Sequence, residues 1–361
     1  MPSFDAADMA TWSGGTWQSG PPTNIQGIST DTRALKRGEL YLALKGDNFD
    51  GHAFVEEALR KGACGAVVAR RWTAPRTVED KALLRVEDPA RALRDMGSGY
   101  RQKINPRIVA VTGSAGKSTV KELAAQMLKT AFPVACTRGN WNNDIGLPLS
   151  LLAMEPSTRV GVFETGTNHP GELASLCRIL RPDWGVVTNV GPVHIEFFGS
   201  VEAIANEKAD LLRSLPREGV SILNRDDAFF EFFRSVATAR TITVSVRGKA
   251  DYVCLDRDPH GAEAAIREAA SGEEVVLRMP LKGEHNMANV MMAVAVARAF
   301  EVPWEQIGRA LTNYAPLPMR WEEKRLGDIT LINDAYNANP LSMKAALRAC
   351  EEDEGKGRKW L

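Results

Sequence analysis

The sequence has no surplus of charge of either sign. It contains 45 basic and 45 acidic residues in a chain of 361, so the formal net charge at pH 7 is zero. A balanced chain offers no general electrostatic attraction to nucleic acid or to an anionic membrane. We therefore expect no nucleic-acid partner, and local groups must hold any anionic ligand.

Long apolar runs and a secretory leader are also missing. No stretch approaches the roughly 20 apolar residues of a transmembrane helix, and the opening "MPSFDAADMATWSGG" lacks a basic segment followed by an apolar run. The five cysteines show no C-x-x-C spacing, which argues against a zinc site or a disulfide framework. These absences predict a cytoplasmic protein without membrane insertion. Nothing encodes the oligomeric state, for which a monomer is expected.

Changes of pattern along the chain suggest its domains, and its length allows two or three. Short apolar runs around a helix-like segment predict a small N-terminal α/β domain over residues 1–105. Strands that alternate with helices predict a central domain with a mainly parallel sheet over residues 106–317. After the proline-marked "YAPLPMR", the strand-like "DITLINDAY" and a helix-like segment predict the beginning of an incomplete third domain, residues 318–361.

The stretch "VAVTGSAGKSTVKEL" predicts a phosphate-binding loop between a strand and a helix. Backbone N–H groups and the positive helix end would face a phosphate chain, while Lys117 can reach the terminal phosphates and Ser118 can hold Mg²⁺. In the common pattern G-x-x-x-x-G-K-[ST], a glycine stands where this chain has Val111. The order of strand, glycine-rich turn and helix still favours nucleotide binding over an ordinary turn.

Polar residues follow the next strands of the predicted sheet. Glu164 ends "VGVFE", where a carboxylate beside a phosphate loop could bind Mg²⁺ or could simply be a surface glutamate; the neighbouring loop favours the metal. His194 follows a third strand as a metal ligand, a proton carrier or an ordinary loop histidine, and alone it favours the last. Spacing alone makes Lys208, in "NEKADLL", a solvated helix lysine.

Two groups of asparagines allow a structural and a binding interpretation. Asn140, Asn142 and Asn143 lie together in "RGNWNNDIGLP", where they could form a turn cluster or grip a sugar-like substrate. Asn286 and Asn289 lie one helical turn apart and could read a purine edge, although Asn286 could also cap the helix. The pattern leaves both alternatives open.

Together these motifs resemble the Mur ligases, the ATP-dependent amide-bond-forming enzymes of peptidoglycan precursor synthesis. The family's phosphate loop, T-G-x-x-G-K-[ST]-[ST], matches residues 112–119 at every fixed position. The stretches "STDTRALKRGELYLALKGDNFDGHAFVEEAL", "GNWNNDIGLP", "FETGTNHPGEL" and "NDAYNANPLSMKAAL" extend the resemblance from Gly27 to the last residue. It implies a UDP-substrate-binding N-terminal domain, a central P-loop ATPase-like domain and a Rossmann-like C-terminal domain, of which only the first strand and helix are expected here.

The resemblance is strongest to the members that join D-alanyl-D-alanine to UDP-N-acetylmuramoyl-tripeptide through an acyl phosphate. It implies ATP as the energy source and Mg²⁺ as the metal, with lysine or diaminopimelate ending the tripeptide. The runner-up is the ligase that adds a diamino acid to the UDP-muramoyl-dipeptide, and a folyl-polyglutamate-type synthase comes third. A non-catalytic remnant that binds only UDP-muramyl peptide or ATP is the alternative from a different class.

The family's site residues transfer to matching positions of this sequence. The catalytic group comprises Lys117, Glu164, His194 and Lys208, and the last three with Ser118 would surround Mg²⁺. Lys208 matches a lysine that is typically carbamylated in the family, which suits Mg²⁺ because an ammonium would repel it. The positions implied to bind ATP are Gly113, Ser114, Ala115, Gly116, Lys117, Ser118, Thr119, Asn286, Asn289, Arg320 and Asp334. Those implied to bind the substrate are Thr30, Asp31, Arg33, Lys45, Gly46, His52, Asn140, Asn142, Asn143 and Thr167.

Two positions depart from the family pattern. The usual Pro-Gly before the arginine is Pro318-Met319 here, and the usual pair of aspartates before Y-N-A-N-P is Asn333-Asp334. Only the second aspartate is expected to be needed for the ribose.

Overall fold

The computed structural model describes residues 2–257, 262–352 and 358–360. The helices are α1 (Ala6–Ser13), α2 (Val55–Arg60), α3 (Pro89–Ile104), α4 (Lys117–Leu128), α5 (Gly146–Leu152), α6 (Glu172–Leu180), α7 (Ile195–Phe198), α8 (Val201–Arg213), α9 (Phe230–Val236), α10 (Glu284–Ala299), α11 (Trp304–Thr312) and α12 (Pro340–Glu352). The strands are β1 (Thr16–Gln18), β2 (Ile28–Ser29), β3 (Leu40–Leu42), β4 (Lys45–Gly46), β5 (Phe49–Asp50), β6 (Gly65–Ala69), β7 (Leu83–Val86), β8 (Arg107–Thr112), β9 (Val134–Cys136), β10 (Val160–Glu164), β11 (Trp184–Val187), β12 (Val220–Asn224), β13 (Arg240–Ser245), β14 (Tyr252–Arg257), β15 (Glu263–Glu268), β16 (Glu274–Arg278), β17 (Glu322–Leu326) and β18 (Ile329–Asn333).

The chain divides into two compact units. The first comprises Met1–Pro106 and Thr137–Thr158, and the second comprises Arg107–Cys136 and Arg159–Leu361. The division into domains 1–105, 106–317 and 318–361 stays a prediction.

The first unit is built on a five-stranded sheet in the order β1-β7-β6-β3-β2. Its strands are parallel except β1, which pairs antiparallel with β7. Strand β3 is completely buried, as its uninterrupted "LYL" leads one to expect for a strand covered on both faces. A separate two-stranded hairpin of β4 and β5 precedes a 3₁₀ turn at Gly51–Phe54.

Local signals fix both ends of α3, the longest helix of this unit. Asp88 accepts a hydrogen bond from the N–H of Ala90 at 2.9 Å, and Pro89 occupies the first helical position. Both features favour a helix start, since they satisfy or remove an unpaired N–H group. The helix ends at Ile104, and the next residue, Asn105, adopts the left-handed conformation before Pro106.

The second unit is built on a nine-stranded sheet in the order β16-β15-β14-β13-β12-β11-β8-β10-β9. Strands β8 to β14 pair in parallel, and β15 and β16 are added antiparallel at one edge. This arrangement confirms the predicted α/β class with a mainly parallel sheet. Because β11, β8 and β10 are neighbours, the segments that follow them meet at one edge, where α/β proteins bind ligands.

The core of the second unit lies between this sheet and helices α4, α10 and α11. The prediction that the alanines and methionines of α10 are core residues is confirmed, because nearly the whole helix from Met287 to Ala297 is buried. None of the described helices is long and apolar enough to span a membrane.

The last described part of this unit differs in one strand from the sequence prediction. The predicted strand and helix are present as β18 and α12, but β18 pairs antiparallel with β17, which the sequence analysis did not predict. Strand β17 reads "EEKRL" and is mostly exposed, so it carries no alternation of apolar and polar residues.

Candidate active site

The loop between β8 and α4 presents unpaired backbone donors. Two of its N–H groups are used internally: that of Ser114 donates to the carbonyl of Asn189 at 3.0 Å, and that of Ala115 donates to Asn189 Oδ1 at 2.9 Å. The N–H groups of residues 116–119 donate to no other group of the described chain. Four donors at a helix start, with the helix dipole behind them, form an anion-binding site.

Both glycines of the loop are required by their surroundings. Gly113 has a φ of +147°, and a Cβ atom there would overlap the hydroxyl of Thr188. Gly116 has a φ of +81°, and a Cβ atom there would overlap the amide of Asn289. Val111, in contrast, is a buried residue inside β8. The loop therefore begins after the position where the common pattern has its first glycine, which explains why valine is accepted there.

Replacing Gly116 by alanine is expected to weaken nucleotide binding. The added methyl group would push Asn289 and the loop apart, and overpacking of this kind costs about 1–3 kcal/mol, so ADP affinity measured by calorimetry should fall roughly 10- to 100-fold. Gly272→Ala is the matched control, since Gly272 has a φ of +71° with no atom within 4 Å of the added Cβ position. Equal affinities of the two variants would contradict this account of the loop.

Oxygen atoms from two elements meet beside the loop. The Ser118 hydroxyl donates to Glu164 Oε2 at 2.6 Å, and it accepts from Nη2 of Arg320 at 3.0 Å. Glu164 is only 3% exposed, so its interpretation as a surface glutamate is wrong. A hydroxyl and a carboxylate side by side at a phosphate loop suit a hard cation such as Mg²⁺.

Lys117 folds back over the loop that precedes it. Its ammonium group donates to the carbonyl of Gly113 at 2.9 Å. Burial lowers the pKa of Lys117, while the nearby Glu164 carboxylate acts in the opposite direction. An ammonium group held at the phosphate loop is placed to meet a phosphate that binds there.

Lys208 lies on α8 and is 5% exposed, so the interpretation as a solvated helix lysine is wrong. Its amine has no hydrogen-bond or ion-pair partner among the residues that the structure describes. Burial, helped by the charge of Lys117, lowers the pKa of Lys208 to about 7. A substantial part of the amine is therefore in its neutral, nucleophilic form near neutral pH.

His194 precedes α7 in the left-handed conformation, with a φ of +57°. Burial lowers its pKa, and the charges of Lys117 and Lys208 act in the same direction, opposed by Glu196. Glu164 acts on the pKa of Lys117, and Lys117 acts on the pKa values of His194 and Lys208, so these four predicted catalytic residues share one electrostatic neighbourhood around Lys117. Within the described ranges, no group of three or more His, Cys, Asp and Glu side chains could by itself hold a metal ion, so a metal here would also need ligands of other types.

The burial of Lys208 predicts a pH-dependent stability. Its pKa is about 7 in the folded protein against an ordinary value of 10.5, so the unfolded chain binds the additional proton between these values, and stability rises with pH across this window. Lys208→Met should remove this dependence. At and below pH 7 it should also raise the free energy of unfolding by several kcal/mol, on the order of the energy that corresponds to the whole difference between the two pKa values. Denaturant unfolding in CO₂-free buffer measures it, with Lys129→Met as an exposed control. Parallel pH profiles of wild type and Lys208→Met would contradict the prediction.

The asparagine pair of α10 lies against the phosphate loop. Asn289 contacts Gly116, and its Nδ2 donates to Asn286 Oδ1 at 3.3 Å. Asn286 in turn donates to the carbonyl of Lys282 at 2.8 Å. The helix is capped by Gly283, so the interpretation of Asn286 as the N-terminal cap is wrong. The pair is positioned beside the loop, and its contact with a purine stays a prediction.

The segment around Arg320 has an unusual backbone. Met319 and Trp321 have φ values of +56° and +52°, in the left-handed region that favours glycine. Methionine thus adopts a left-handed conformation at the position where the family pattern has glycine. The guanidinium of Arg320 lies 4.1 Å from the ring centroid of Tyr336, and Asp334 Oδ1 accepts from the N–H of Trp321 at 3.1 Å. Arg320 thus reaches Ser118, while Asp334 holds the turn next to it.

The predicted substrate residues of the first unit form two charged pairs. Arg33 pairs with Asp31 at 2.7 Å, and its hydrogen bonds lower the pKa of Asp31 to about 2. Lys45 lies 4.0 Å from Asp50. Thr30 is half-buried beside the first pair and Gly46 is exposed in β4.

Both ring nitrogens of His52 are already engaged. Nδ1 lies 2.6 Å from Asp50 Oδ1, and Nε2 accepts from the N–H of Ala69 at 2.9 Å. Since Nε2 is the acceptor, the proton of the neutral ring is on Nδ1 and is donated to Asp50. His52 therefore ties the 3₁₀ turn to β6, and any substrate contact would have to use the face of its ring.

The asparagine loop before α5 serves partly as a cap. Asn143 Oδ1 accepts from the N–H of Gly146 at 2.8 Å and from that of Ile145 at 3.3 Å, at the start of α5. The carbonyl of Asn140 accepts from the N–H of Asn142 at 2.7 Å. Both contacts fit the turn-cluster interpretation. A role of the three side-chain amides in sugar binding stays a prediction.

Sequence reasoning missed two residues that shape the site. The side-chain amide of Asn189 binds both backbone groups of Ala115. Its oxygen accepts from the N–H, and its nitrogen donates to the carbonyl at 3.1 Å. Asn189 lies two residues after the end of β11, so a search for polar residues that follow strands would also have identified it. Glu207 is buried and accepts from the N–H groups of Gly171 and Leu173 at 2.7 and 2.8 Å. No local pattern marks Glu207, because its partners lie far away in sequence.

The fold and the loop define a phosphate-loop nucleotide-binding protein of the α/β class. The family model described as "Mur ligase middle domain" matches residues 111–297, and the one described as "Mur ligase family, catalytic domain" matches residues 24–101. The UDP-N-acetylmuramoyl-tripeptide--D-alanyl-D-alanine ligase of Bacillus subtilis (strain 168) is 36% identical over 94% of this chain and 73% of its own length. The chain belongs to the Mur ligase family.

Solved structures of the family have the same fold. The UDP-N-acetylmuramoylalanyl-D-glutamyl-2,6-diaminopimelate--D-alanyl-D-alanyl ligase of Acinetobacter baumannii is 31% identical, with a TM-score of 0.88 over 98% of this chain and 78% of that one. The MurF ligase of Thermotoga maritima, solved in complex with ADP, is 26% identical, with a TM-score of 0.80 over 91% of this chain and 75% of that one. This chain thus spans about three quarters of the length of these relatives.

Proposed function

We propose that the protein is an ATP-dependent ligase that joins D-alanyl-D-alanine to UDP-N-acetylmuramoyl-tripeptide in peptidoglycan precursor synthesis. The observation that carries the proposal is the phosphate loop with four unpaired N–H groups, placed beside the Ser118–Glu164 pair and the buried Lys208. The similar ligases of Bacillus subtilis and Acinetobacter baumannii are named for these substrates. Their identity, over nearly the whole chain, favours D-alanyl-D-alanine over a diamino acid as the amine.

In the first step, the terminal carboxylate of the tripeptide attacks the γ-phosphorus of ATP. A carboxylate oxygen forms a bond to phosphorus, and the bond from phosphorus to the bridging oxygen breaks, so ADP leaves with the electron pair. The N–H groups of residues 116–119, the ammonium of Lys117 and the guanidinium of Arg320 would balance the negative charge that gathers there. Asn286 and Asn289 would hold the adenine, with Asp334 near the ribose.

In the second step, the free amine of D-alanyl-D-alanine attacks the carbonyl carbon of the acyl phosphate. A C–N bond forms, the C–O bond to phosphate breaks, and the amine loses a proton to solvent. The released phosphate keeps the oxygen that came from the carboxylate. No side chain of the protein becomes covalently attached, so catalysis depends on the positions of the two substrates and on charge.

The residues present fit Mg²⁺. Ser118 Oγ and Glu164 supply two adjacent oxygens, and His194 lies in the same electrostatic neighbourhood. The neutral amine of Lys208 can add to CO₂, forming an N–C bond and releasing a proton, and the resulting carbamate would supply the further oxygen ligand. Bound Mg²⁺ would neutralise phosphate charge. In the first unit, Thr30, Asp31, Arg33, Lys45 and Gly46 would bind the uridine nucleotide.

Phosphate release from ATP tests this function. With UDP-muramyl-tripeptide present, D-alanyl-D-alanine should stimulate release and a diamino acid should not. Stimulation only by the diamino acid, with UDP-muramyl-dipeptide as its partner, would support the runner-up ligase. ATP or UDP-muramyl-peptide binding without any amine-dependent release would support the non-catalytic alternative.

A further inference from the structure

A partly exposed aromatic pair lies beside His194 and has no part in the steps above. The rings of His169 and Phe197 are 4.3 Å apart between centroids, at an angle of 52°. Phe197 is 50% exposed, and its N–H donates to the carbonyl of His194 at 3.0 Å. His169 belongs to the segment that follows β10, and Phe197 to the one that follows β11. The pair therefore lies at the sheet edge that carries the phosphate loop.

The His169 ring is fixed from one side only. Glu172 accepts from the N–H groups of Asn168 and His169 at 2.7 and 3.2 Å, and its other oxygen lies 3.1 Å from Nδ1 of His169. A carboxylate at Nδ1 places the proton of the neutral ring on that nitrogen. Nε2 is then a hydrogen-bond acceptor, and it has no partner among the described residues.

The same segment contains a buried hydroxyl without a partner. Thr167 Oγ1 is inaccessible to solvent and makes no hydrogen bond in the described structure. An unsatisfied buried hydroxyl costs about 1–3 kcal/mol, and this one lies inside the segment rather than on its surface. The carboxylate of Glu207 accepts from the N–H groups of Gly171 and Leu173, at the end of this segment. These hydrogen bonds anchor the segment, on which Nε2 of the exposed His169 remains without a partner among the described residues.

We propose that Phe197 and His169 form the binding subsite for the side chain of the tripeptide's terminal diamino acid. The aliphatic chain would lie on the exposed face of Phe197, and the terminal ammonium would donate to Nε2 of His169, whose ring Glu172 holds in place. This inference rests on the proposed function. It commits the subsite to one chemical class, an aliphatic chain that ends in an ammonium group.

The position of the Phe197–His169 pair favours the side chain of the tripeptide's terminal residue over the dipeptide as its ligand. The side chain of the terminal residue leaves from the carbon next to the reacting carboxylate, so it must lie close to the phosphate loop and to His194. D-Alanyl-D-alanine carries only methyl groups and needs neither an aromatic platform nor an acceptor for an ammonium. Lysine and diaminopimelate both carry an ammonium group at the end of a methylene chain, which in diaminopimelate has a carboxylate beside it, and comparing the two as third residue shows which one the wild-type protein prefers.

Three UDP-tripeptides that end in lysine, norleucine or alanine separate the two contacts. Phe197→Ala should lower kcat/KM roughly tenfold for the lysine and norleucine substrates, because it removes a contact with the methylene chain, and should leave the alanine substrate unchanged. His169→Leu keeps an apolar partner for Phe197 and should reduce the lysine substrate to the level of norleucine. Phe232→Ala, which removes a half-buried ring that packs against Phe233 on α9, is the matched control.

Several outcomes would overturn the inference. Equal losses for all three substrates would show that Phe197 has only a structural role, and a raised KM for D-alanyl-D-alanine would assign the pair to the dipeptide. Calorimetric affinities for the three UDP-tripeptides should show the same selective losses, so the inference can be tested without turnover. Failure of the wild-type protein to form product with D-alanyl-D-alanine would instead contradict the proposed function.

Discussion

Replacing Lys117 by alanine is expected to abolish turnover while the first unit still binds the uridine substrate. Lys117 is the only side-chain cation that the loop itself supplies, and its ammonium group is held at this loop by the carbonyl of Gly113. Removing a preorganised donor at developing charge typically costs about 100- to 1,000-fold in rate, and the loss of a full charge should cost at least that. Amine-dependent phosphate release measures the loss.

Binding distinguishes this effect from misfolding. The affinity for UDP-muramyl-tripeptide, measured by calorimetry, should stay within about twofold of wild type, since the uridine contacts are predicted in a separate unit. Lys129→Ala is the control, because Lys129 is an exposed lysine that directly follows α4, and this variant should leave turnover unchanged. Near-normal turnover of Lys117→Ala would contradict the assigned role.

Replacing Lys208 by arginine is expected to have an effect of similar size. Arginine carries a permanent positive charge and cannot be carbamylated, so Mg²⁺ would be repelled where it should be bound. Turnover should fall about 100-fold or more, in line with the loss of a charged group at a reacting phosphate. Lys208→Glu, which restores a carboxylate, should lose less activity than Lys208→Arg.

The wild-type protein should also depend on dissolved CO₂. Carbamate formation needs the neutral amine, whose fraction falls as the pH drops below about 7, so activity at low pH should decline most steeply in CO₂-depleted buffer. Labelled bicarbonate gives an independent measurement, because a carbamate signal should appear in the ¹³C spectrum of wild type and be absent from Lys208→Arg. Full activity of wild type without CO₂, together with no such signal, would contradict the carbamate.

The sequence alone predicted the parts of the site that depend on local pattern. The loop from Gly113 to Thr119 was recognisable because a strand, a glycine-rich turn and a helix follow one another within a few residues. Glu164 was recognisable as a carboxylate at a strand end, and the parallel order of β11, β8 and β10 then brings it to Ser118. The mainly parallel sheet followed from the alternation of strands and helices.

The parts that depend on tertiary packing were not predictable in this way. Lys208 looks solvated in sequence, and only the packing of α8 buries its amine; the family resemblance, not spacing, singled it out. Glu207 could not be found because its hydrogen-bond partners precede it by more than thirty residues. Strand β17 was not predicted because a mostly exposed, charged strand shows no alternation of apolar and polar residues.

The transfer of one oxygen atom tests the central claim most directly. If the tripeptide carboxylate is activated as an acyl phosphate, its oxygen bonds to phosphorus and leaves with the phosphate when D-alanyl-D-alanine attacks. With UDP-muramyl-tripeptide labelled with ¹⁸O in its terminal carboxylate, mass spectrometry should find one labelled oxygen in each phosphate released. Unlabelled phosphate, formed alongside the amide product, would contradict carboxylate activation at this site.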